Sequence, residues 1–281
     1  MRAALNVALF GDFSDPLALA ELAGCAEEAG WDGLFVWDHL NWTWPGAPAA
    51  ADPWIALTAA ALATRRLRLG PMVTPLPRRR PARLARETAT LDRLSGGRLI
   101  LGVGLGAPPR EEFEDLGEDP DPARRALLLD EGLEVLAGLW SGRPFSYQGR
   151  CLRLRQVRFL PTPLQSPRIP VWVGGGWPGP RAPLRRAARW DGFYPVHSGL
   201  QRGLSPGEMA RAVELLRRLR ARPEEPFEVM VGGQSGLNPA RDRSLLQAYA
   251  RAGVTWWSEV IHPGRFGRRQ ALERARAGPP S

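Results

Sequence analysis

The chain has 281 residues, 44% of them hydrophobic and 24% charged. That is enough to bury a core without help from disulfides or metal, and the composition excludes fibrous and disordered classes. The formal net charge is +9, and all 38 basic residues are arginine, so an anionic partner has to be considered: nucleic acid, an anionic surface or a phosphate.

Leu5–Phe10 is a short apolar run ending at Gly11-Asp12 and predicts a first strand. The run is too short for a leader or a membrane span, which predicts a cytoplasmic protein with no membrane partner. Asp15-Pro16 opens a helix, with Asp as cap and Pro in the first turn. Its apolar stripe is Leu19, Leu22, Ala23 and Ala26, and Cys25 on that stripe reads as a small buried hydrophobe. The other cysteine, Cys151, stands far away, and no Cys/His cluster exists, so neither a disulfide framework nor a metal site is predicted.

Gly33–Trp37 is the second strand, followed by the loop Asp38-His39-Leu40-Asn41-Trp42; Asp52-Pro53 caps a second helix through Ala63. Leu67–Thr74 is a strand, Pro81–Leu94 a helix and Leu99–Gly104 a strand. Asp121-Pro122 starts a helix with Leu129, Leu133, Leu136 and Trp140 on its apolar face. The Pro-rich stretch from Pro144 to Pro170 predicts a hairpin or excursion between strands four and five. Strand Val171–Gly174, helix Pro183–Ala188 and strand Gly192–Pro195 follow. Ser205-Pro206-Gly207-Glu208 is a capping box for a helix to Ala221. Strand Phe227–Val231, helix Ala240–Ala252 (capped by Asn238-Pro239), strand Val254–Glu259 and helix Gly267–Ala277 finish the chain, and Gly278–Ser281 reads as a disordered tail.

Eight strand–helix units predict an α/β fold, a closed (β/α)8 TIM barrel. No linker or composition shift divides the chain, so residues 1–281 read as a single domain. In such barrels the chemistry lies in the loops after the strands. The three histidines, His39, His197 and His262, all fall there, after strands two, six and eight. So do Gly102, Gly104 and Gly106 after strand four, Gly174, Gly175 and Gly176 after strand five, and Gly232-Gly233 after strand seven. Such glycines either let backbone N–H groups approach a ligand or simply make tight turns. Arg181 and Arg185, just past the triple glycine, are placed to complete a phosphate site. Trp37, Trp42, Trp44 and Trp177 lie at or after strand ends and suit walls around a planar ring, whereas Trp140, Trp190 and one of Trp256-Trp257 read as core. No HExxH, G-x-S-x-G or P-loop is present. The few carboxylates at the active face are Asp12, Asp38 and Glu259; nothing in the spacing of Asp38 and Glu259 asks for a glycosidase pair.

Asp92-Arg93-Leu94-Ser95-Gly96-Gly97-Arg98-Leu99, running into Gly102-Val103-Gly104-Leu105-Gly106, resembles the central signature of the luciferase-like flavin oxidoreductases. Gly33 to His39, Leu69 to Pro75, Ile169 to Gly175, Asp191 to Phe193 and Ala252 to Trp257 extend the resemblance over nearly the whole chain. It implies a TIM barrel carrying FMN or the deazaflavin coenzyme F420 across the strand ends, with the cofactor phosphate near Gly174, Gly175, Gly176 and Arg181. It also implies a non-prolyl cis peptide at Pro71-Met72 or Met72-Val73 against the ring. Asp38, Pro71, Met72, Val73, Gly104 and Gly106 would complete the cofactor site.

His39 matches the active-site histidine of the deazaflavin dehydrogenases, with Trp42 or Trp44 as offset counterparts of their tryptophan. The glutamate those enzymes carry just after the strand-four glycines is replaced by Ala107, with Glu111 and Glu112 four and five residues further on. The resemblance implies an oxidoreductase or monooxygenase acting on a small-molecule substrate as a homodimer. A non-catalytic flavin-binding barrel is the alternative. Nucleic-acid binding is not expected, because the arginines spread over outer helices at Arg65, Arg86, Arg125, Arg218 and Arg251. Arg78-Arg79-Arg80 either contact an acidic cofactor tail or form a solvated helix start.

Overall fold

A computed structural model describes residues 1–198, 203–235 and 239–280. The strands are β1 (Arg2–Val7), β2 (Gly33–Val36), β3 (Arg68–Pro71), β4 (Thr74–Pro75), β5 (Leu101–Gly104), β6 (Phe145–Gln148), β7 (Arg153–Val157), β8 (Val171–Trp177), β9 (Gly192–His197), β10 (Glu228–Gly233) and β11 (Trp256–Ile261). The helices are α1 (Pro16–Glu28), α2 (Pro53–Ala63), α3 (Pro81–Leu94), α4 (Pro109–Glu112), α5 (Pro122–Trp140), α6 (Ala182–Ala187), α7 (Pro206–Leu219), α8 (Pro239–Arg251) and α9 (Arg268–Arg276).

Helix starts follow the local chemistry of the sequence. Asp15, Asp52 and Asp121 each accept backbone N–H bonds in the first turn, with proline at the next position where no N–H is needed. Ser205 and Glu208 form the reciprocal capping box of α7. The expected cap residue Asn238 lies outside the described residues.

Nine parallel strands lie in the order β3-β2-β1-β11-β10-β9-β8-β5-β4. The predicted third strand is split into β3 and β4 at Met72-Val73, whose peptide bond is cis. A parallel bridge between Leu69 and Leu99 closes the ring, with Leu69 N–H donating to Arg98 and Ile100 N–H donating back to Leu69. The Pro-rich excursion is the antiparallel hairpin β6–β7. Gly278 to Pro280, expected to be disordered, are half-buried and held by hydrogen bonds to Ala275 and Arg274; Ser281 lies outside the described residues.

Two apolar layers result. Inside the barrel, Ala4, Phe35, Met72, Ile100, Trp172, Tyr194, Met230 and Trp256 pack together. The second layer joins the outward strand faces to the helices. Strand alternation puts Trp256 in the first layer and Trp257 in the second, so both tryptophans are core rather than one. Cys25 is half-buried, not buried, at the edge of the outer layer.

The closure is intolerant of bulk. A Cβ at Gly70 would lie 1.8 Å from the Ile100 carbonyl oxygen, a backbone atom that cannot move aside. Gly24, inside α1, has nothing within 4 Å. Gly70→Ala should therefore cost about 3 kcal/mol or more in urea unfolding. Gly24→Ala should stabilise by about 0.5–1 kcal/mol.

Candidate active site

Three segments far apart in sequence converge above β2–β5: the loop after β2, the turn Leu76–Arg78 and the short helix α4. The side chains of Asp38 and Glu112 are fully buried and that of Arg78 is 1% exposed, so each charge must find its counter-charge inside the protein. Arg78 Nη2 donates to Asp38 Oδ1 at 2.7 Å and to the Asp38 carbonyl at 2.9 Å, while Nη1 donates to Glu112. Arg79 donates to Asp38 Oδ2 (2.8 Å from Nη2) and, through Nε, to the Thr74 hydroxyl at 3.0 Å; that hydroxyl in turn donates to Asp38. Two carboxylates thus face two guanidiniums, and the cluster is electrically balanced.

Glu112 also organises the loop after β2. Its Oε1 accepts the backbone N–H of Leu40 at 3.1 Å, Asn41 at 3.1 Å and Trp42 at 2.7 Å. The same oxygen lies 3.5 Å from His39 Nδ1, ion-pair rather than hydrogen-bond range. Burial alone would push the Glu112 carboxyl up, but His39, the Trp42 N–H and Arg78 together hold it down to about 2. Nδ1 is thus buried against the Glu112 carboxylate.

These contacts correct three expectations. The glutamate that sequence spacing displaces to Glu112 is folded back onto His39 by α4. Arg78 and Arg79 are neither a cofactor clamp nor a solvated helix start but internal counter-ions; only Arg80, at the start of α3, is exposed. The Asp38 carboxylate is spent on Thr74, Arg78 and Arg79. Arg125, expected on the surface, is likewise buried, donating to the carbonyls of Leu105 and Gly106.

All three histidines stand at strand C-termini as expected. An aromatic series joins two of them. Phe10 and Trp42 are 5.5 Å apart, His39 and Trp42 4.8 Å, Trp42 and Trp44 6.2 Å, and Trp44 stacks on His262 at 4.5 Å and 28°. His39, Trp42, Trp44 and His262 are half-buried, so their rings line a surface rather than fill a core. Burial and the nearby Arg265 depress the His262 pKa. His197, at the end of β9, lies 3.8 Å from Glu208 of α7. Trp177 is buried, its indole N–H donating to the Glu208 carbonyl, and belongs to the core instead of the wall. Glu259 is also fully buried, paired with Arg265 and Arg274, so it forms no carboxylate pair with Asp38.

The glycine rim serves mainly close packing. Val73, on the far side of the cis bond, occupies the space where Cβ atoms at Gly104 (2.7 Å) and Gly174 (2.8 Å) would stand. Pro183 covers Gly175 and Phe113 covers Gly106, whereas Gly176 is exposed with only Ser198 near it, at 3.9 Å. Arg181 is exposed beyond β8 at the start of α6. Pro71 and Met72 are buried beneath Val73.

Residues 11–278 match the family described as luciferase-like monooxygenase. The chain belongs to that family. It is therefore an oxidoreductase of the flavin- or deazaflavin-dependent kind. An uncharacterised protein of Mycobacterium tuberculosis is 35% identical over 228 residues, 75% of this chain and 74% of that one. The F420-dependent glucose-6-phosphate dehydrogenase of Nakamurella multipartita is 34% identical over 181 residues, 63% of this chain but only 51% of that enzyme. Among solved structures, an F420-dependent secondary alcohol dehydrogenase holding an F420-acetone adduct superposes with TM-score 0.78 at 19% identity, over 99% of this chain and 98% of that one. A monooxygenase from Streptomyces bottropensis does so equally, with TM-score 0.78 at 20% identity, over 99% and 97%. These likenesses establish the barrel. No helix among the described residues is long and apolar enough to cross a membrane.

In this luciferase-like oxidoreductase, removing the central cation exposes the balance of the cluster. Arg78→Met leaves two buried carboxylates without their shared partner and should cost about 3–5 kcal/mol in denaturant unfolding. Adding Glu112→Gln to it should recover part of that loss. Because the folded Glu112 titrates near 2, below its ordinary 4.5, its stabilisation is complete above pH 4.5 and is lost as pH falls toward 2. Over that window the wild type should lose about 3 kcal/mol that Glu112→Gln does not.

Proposed function

We propose that this chain is an F420-dependent dehydrogenase that moves a hydride between a small alcohol and the deazaflavin, with His39 as the acid–base group. The observation that carries the reading is the His39–Glu112 pair. In the neutral ring, a buried carboxylate against Nδ1 would favour the tautomer with its proton on Nδ1, which would leave Nε2 to act as the base. Alcohol oxidation needs such a base to take the hydroxyl proton as the carbon-bound hydrogen leaves with its electron pair.

The residues present fit a flavin-like ring. Val73 projects between the glycines of β5 and β8, and the exposed Gly176 backbone leaves room at the rim. Bound across these strand ends, the deazaflavin would supply the hydride acceptor. Val73, with Pro71 and Met72 beneath it, would back one face of that ring. Gly104, Gly106, Gly174, Gly175 and Gly176 would admit it closely, with Arg181 toward its phosphate. His39 would hold the substrate oxygen, Trp42 and Trp44 would exclude water beside it, and Glu112 and Asp38 would act as positioning groups.

This reading also takes the enzyme to be a cytoplasmic homodimer without nucleic-acid or membrane partners. Exposed Ile55 and Leu62 on α2 and Leu94 on α3 offer an apolar face for a second copy, and sedimentation should report twice the chain mass.

Fluorescence titration tests the cofactor directly: F420 should bind in the micromolar range or tighter and FMN much more weakly. His39→Ala should lower kcat by about 10²–10⁴-fold while leaving F420 affinity nearly unchanged. Glu112→Gln should lower kcat more than it changes KM. A variant at His39 that alters affinity alone would instead favour a non-catalytic flavin-binding barrel.

A further inference from the structure

We infer that the substrate is an uncharged, flat and largely apolar molecule bearing one hydroxyl or carbonyl, held against the wall formed by Trp42, Trp44 and His262, and not a sugar phosphate. This rests on the hydride-transfer reading and adds the class of molecule that the site takes. Trp44 and His262 present stacked rings, and Trp42 lies between Trp44 and the acid–base histidine. The loop carrying the two tryptophans is fixed at its far end, where Gly11 N–H donates to Ala49 at 2.9 Å and Ala51 N–H donates to Leu9 at 3.1 Å. Glu112 fixes its near end. Gly264 lets the ring pair seat, since a Cβ there would stand 2.8 Å from the Trp44 ring. The wall is therefore built in place, and half-buried π faces favour flat apolar partners.

The charges beside the wall point the same way. Arg78 and Arg79 are bound to Asp38 and Glu112. Arg265 is bound to Glu259 and, at 2.7 Å, to the Ser235 carbonyl. Burial and the neighbouring Arg265 disfavour the charged form of His262. A phosphate dianion here would shed its water and meet cations that already have carboxylate partners. A hydroxyl or carbonyl needs only the one hydrogen-bonding group that His39 Nε2 supplies.

The test uses protein saturated with reduced F420, so that an alcohol binds without turning over. 1-Phenylethanol and glucose 6-phosphate are titrated separately, with tryptophan quenching and saturation-transfer NMR as readouts. 1-Phenylethanol should bind saturably, with transfer concentrated on its ring protons, and glucose 6-phosphate should give no saturable change at the same concentrations. Trp44→Ala should weaken 1-phenylethanol binding about tenfold, and Trp44→Phe by no more than about threefold. Saturable binding of glucose 6-phosphate, no binding of 1-phenylethanol, or a Trp44→Ala variant with unchanged affinity would each overturn the inference. Those results with F420 affinity intact leave the dehydrogenase reading standing, whereas failure to bind F420 at all removes the reading itself.

Discussion

Arg78 has no solvent to fall back on. Its guanidinium bridges Asp38 and Glu112, two buried carboxylates whose separate segments would otherwise repel each other. Through Asp38 it fixes the end of β2, and through Glu112 it fixes α4 and the loop bearing His39. Burial makes each of these charges costly alone and strongly coupled together, so the group forms as a unit. His39, the acid–base group of the proposed reaction, is thereby held by a lattice of ions rather than by hydrophobic packing alone.

The chemistry of the mouth and the construction of the barrel meet at Val73. Met72 points into the interior layer, while the next side chain lies over glycines of β5 and β8. Glycines that look like phosphate cradles in the sequence are here chiefly the seat of one valine. Their absence of side chains serves packing within the chain first. Any ligand approaching the rim meets Val73 and the uncovered Gly176 in place of a bare glycine loop.

Periodicity and capping chemistry are local, which is why the eight strand–helix units were legible from residues alone. The Asp-Pro starts of α1, α2 and α5 and the capping box of α7 mark helix beginnings almost to the residue. The same rules place the three histidines on one rim. What could not be read is pairing across the chain. Glu112 stands 73 positions after His39, and no spacing rule says that a four-residue helix will turn it back to the loop after β2. The arginine triplet misled for a related reason: a charge run reads as solvated until its buried partners are known. A usable signal was present, since Asp38, the triplet and the Glu111-Glu112 pair sit after three consecutive barrel strands, and such loops are neighbours in space.

The grip of Glu112 on three successive N–H groups has a consequence for how such an enzyme can diversify. Residues 40–42 are tied down by hydrogen bonds from outside the loop, and residues 49–51 are tied to the end of β1. Between them, residues 43–48 are held instead by the turn in which Ala47 N–H donates to the Trp44 carbonyl and by the stacking of Trp44 on His262. Insertions or exchanges there would reshape the proposed substrate wall while the His39–Glu112 pair keeps its geometry. On the proposed reading, selectivity and acid–base chemistry fall to adjoining but separable stretches of one loop, so new substrates could be explored by altering that short span without rebuilding the His39–Glu112 pair.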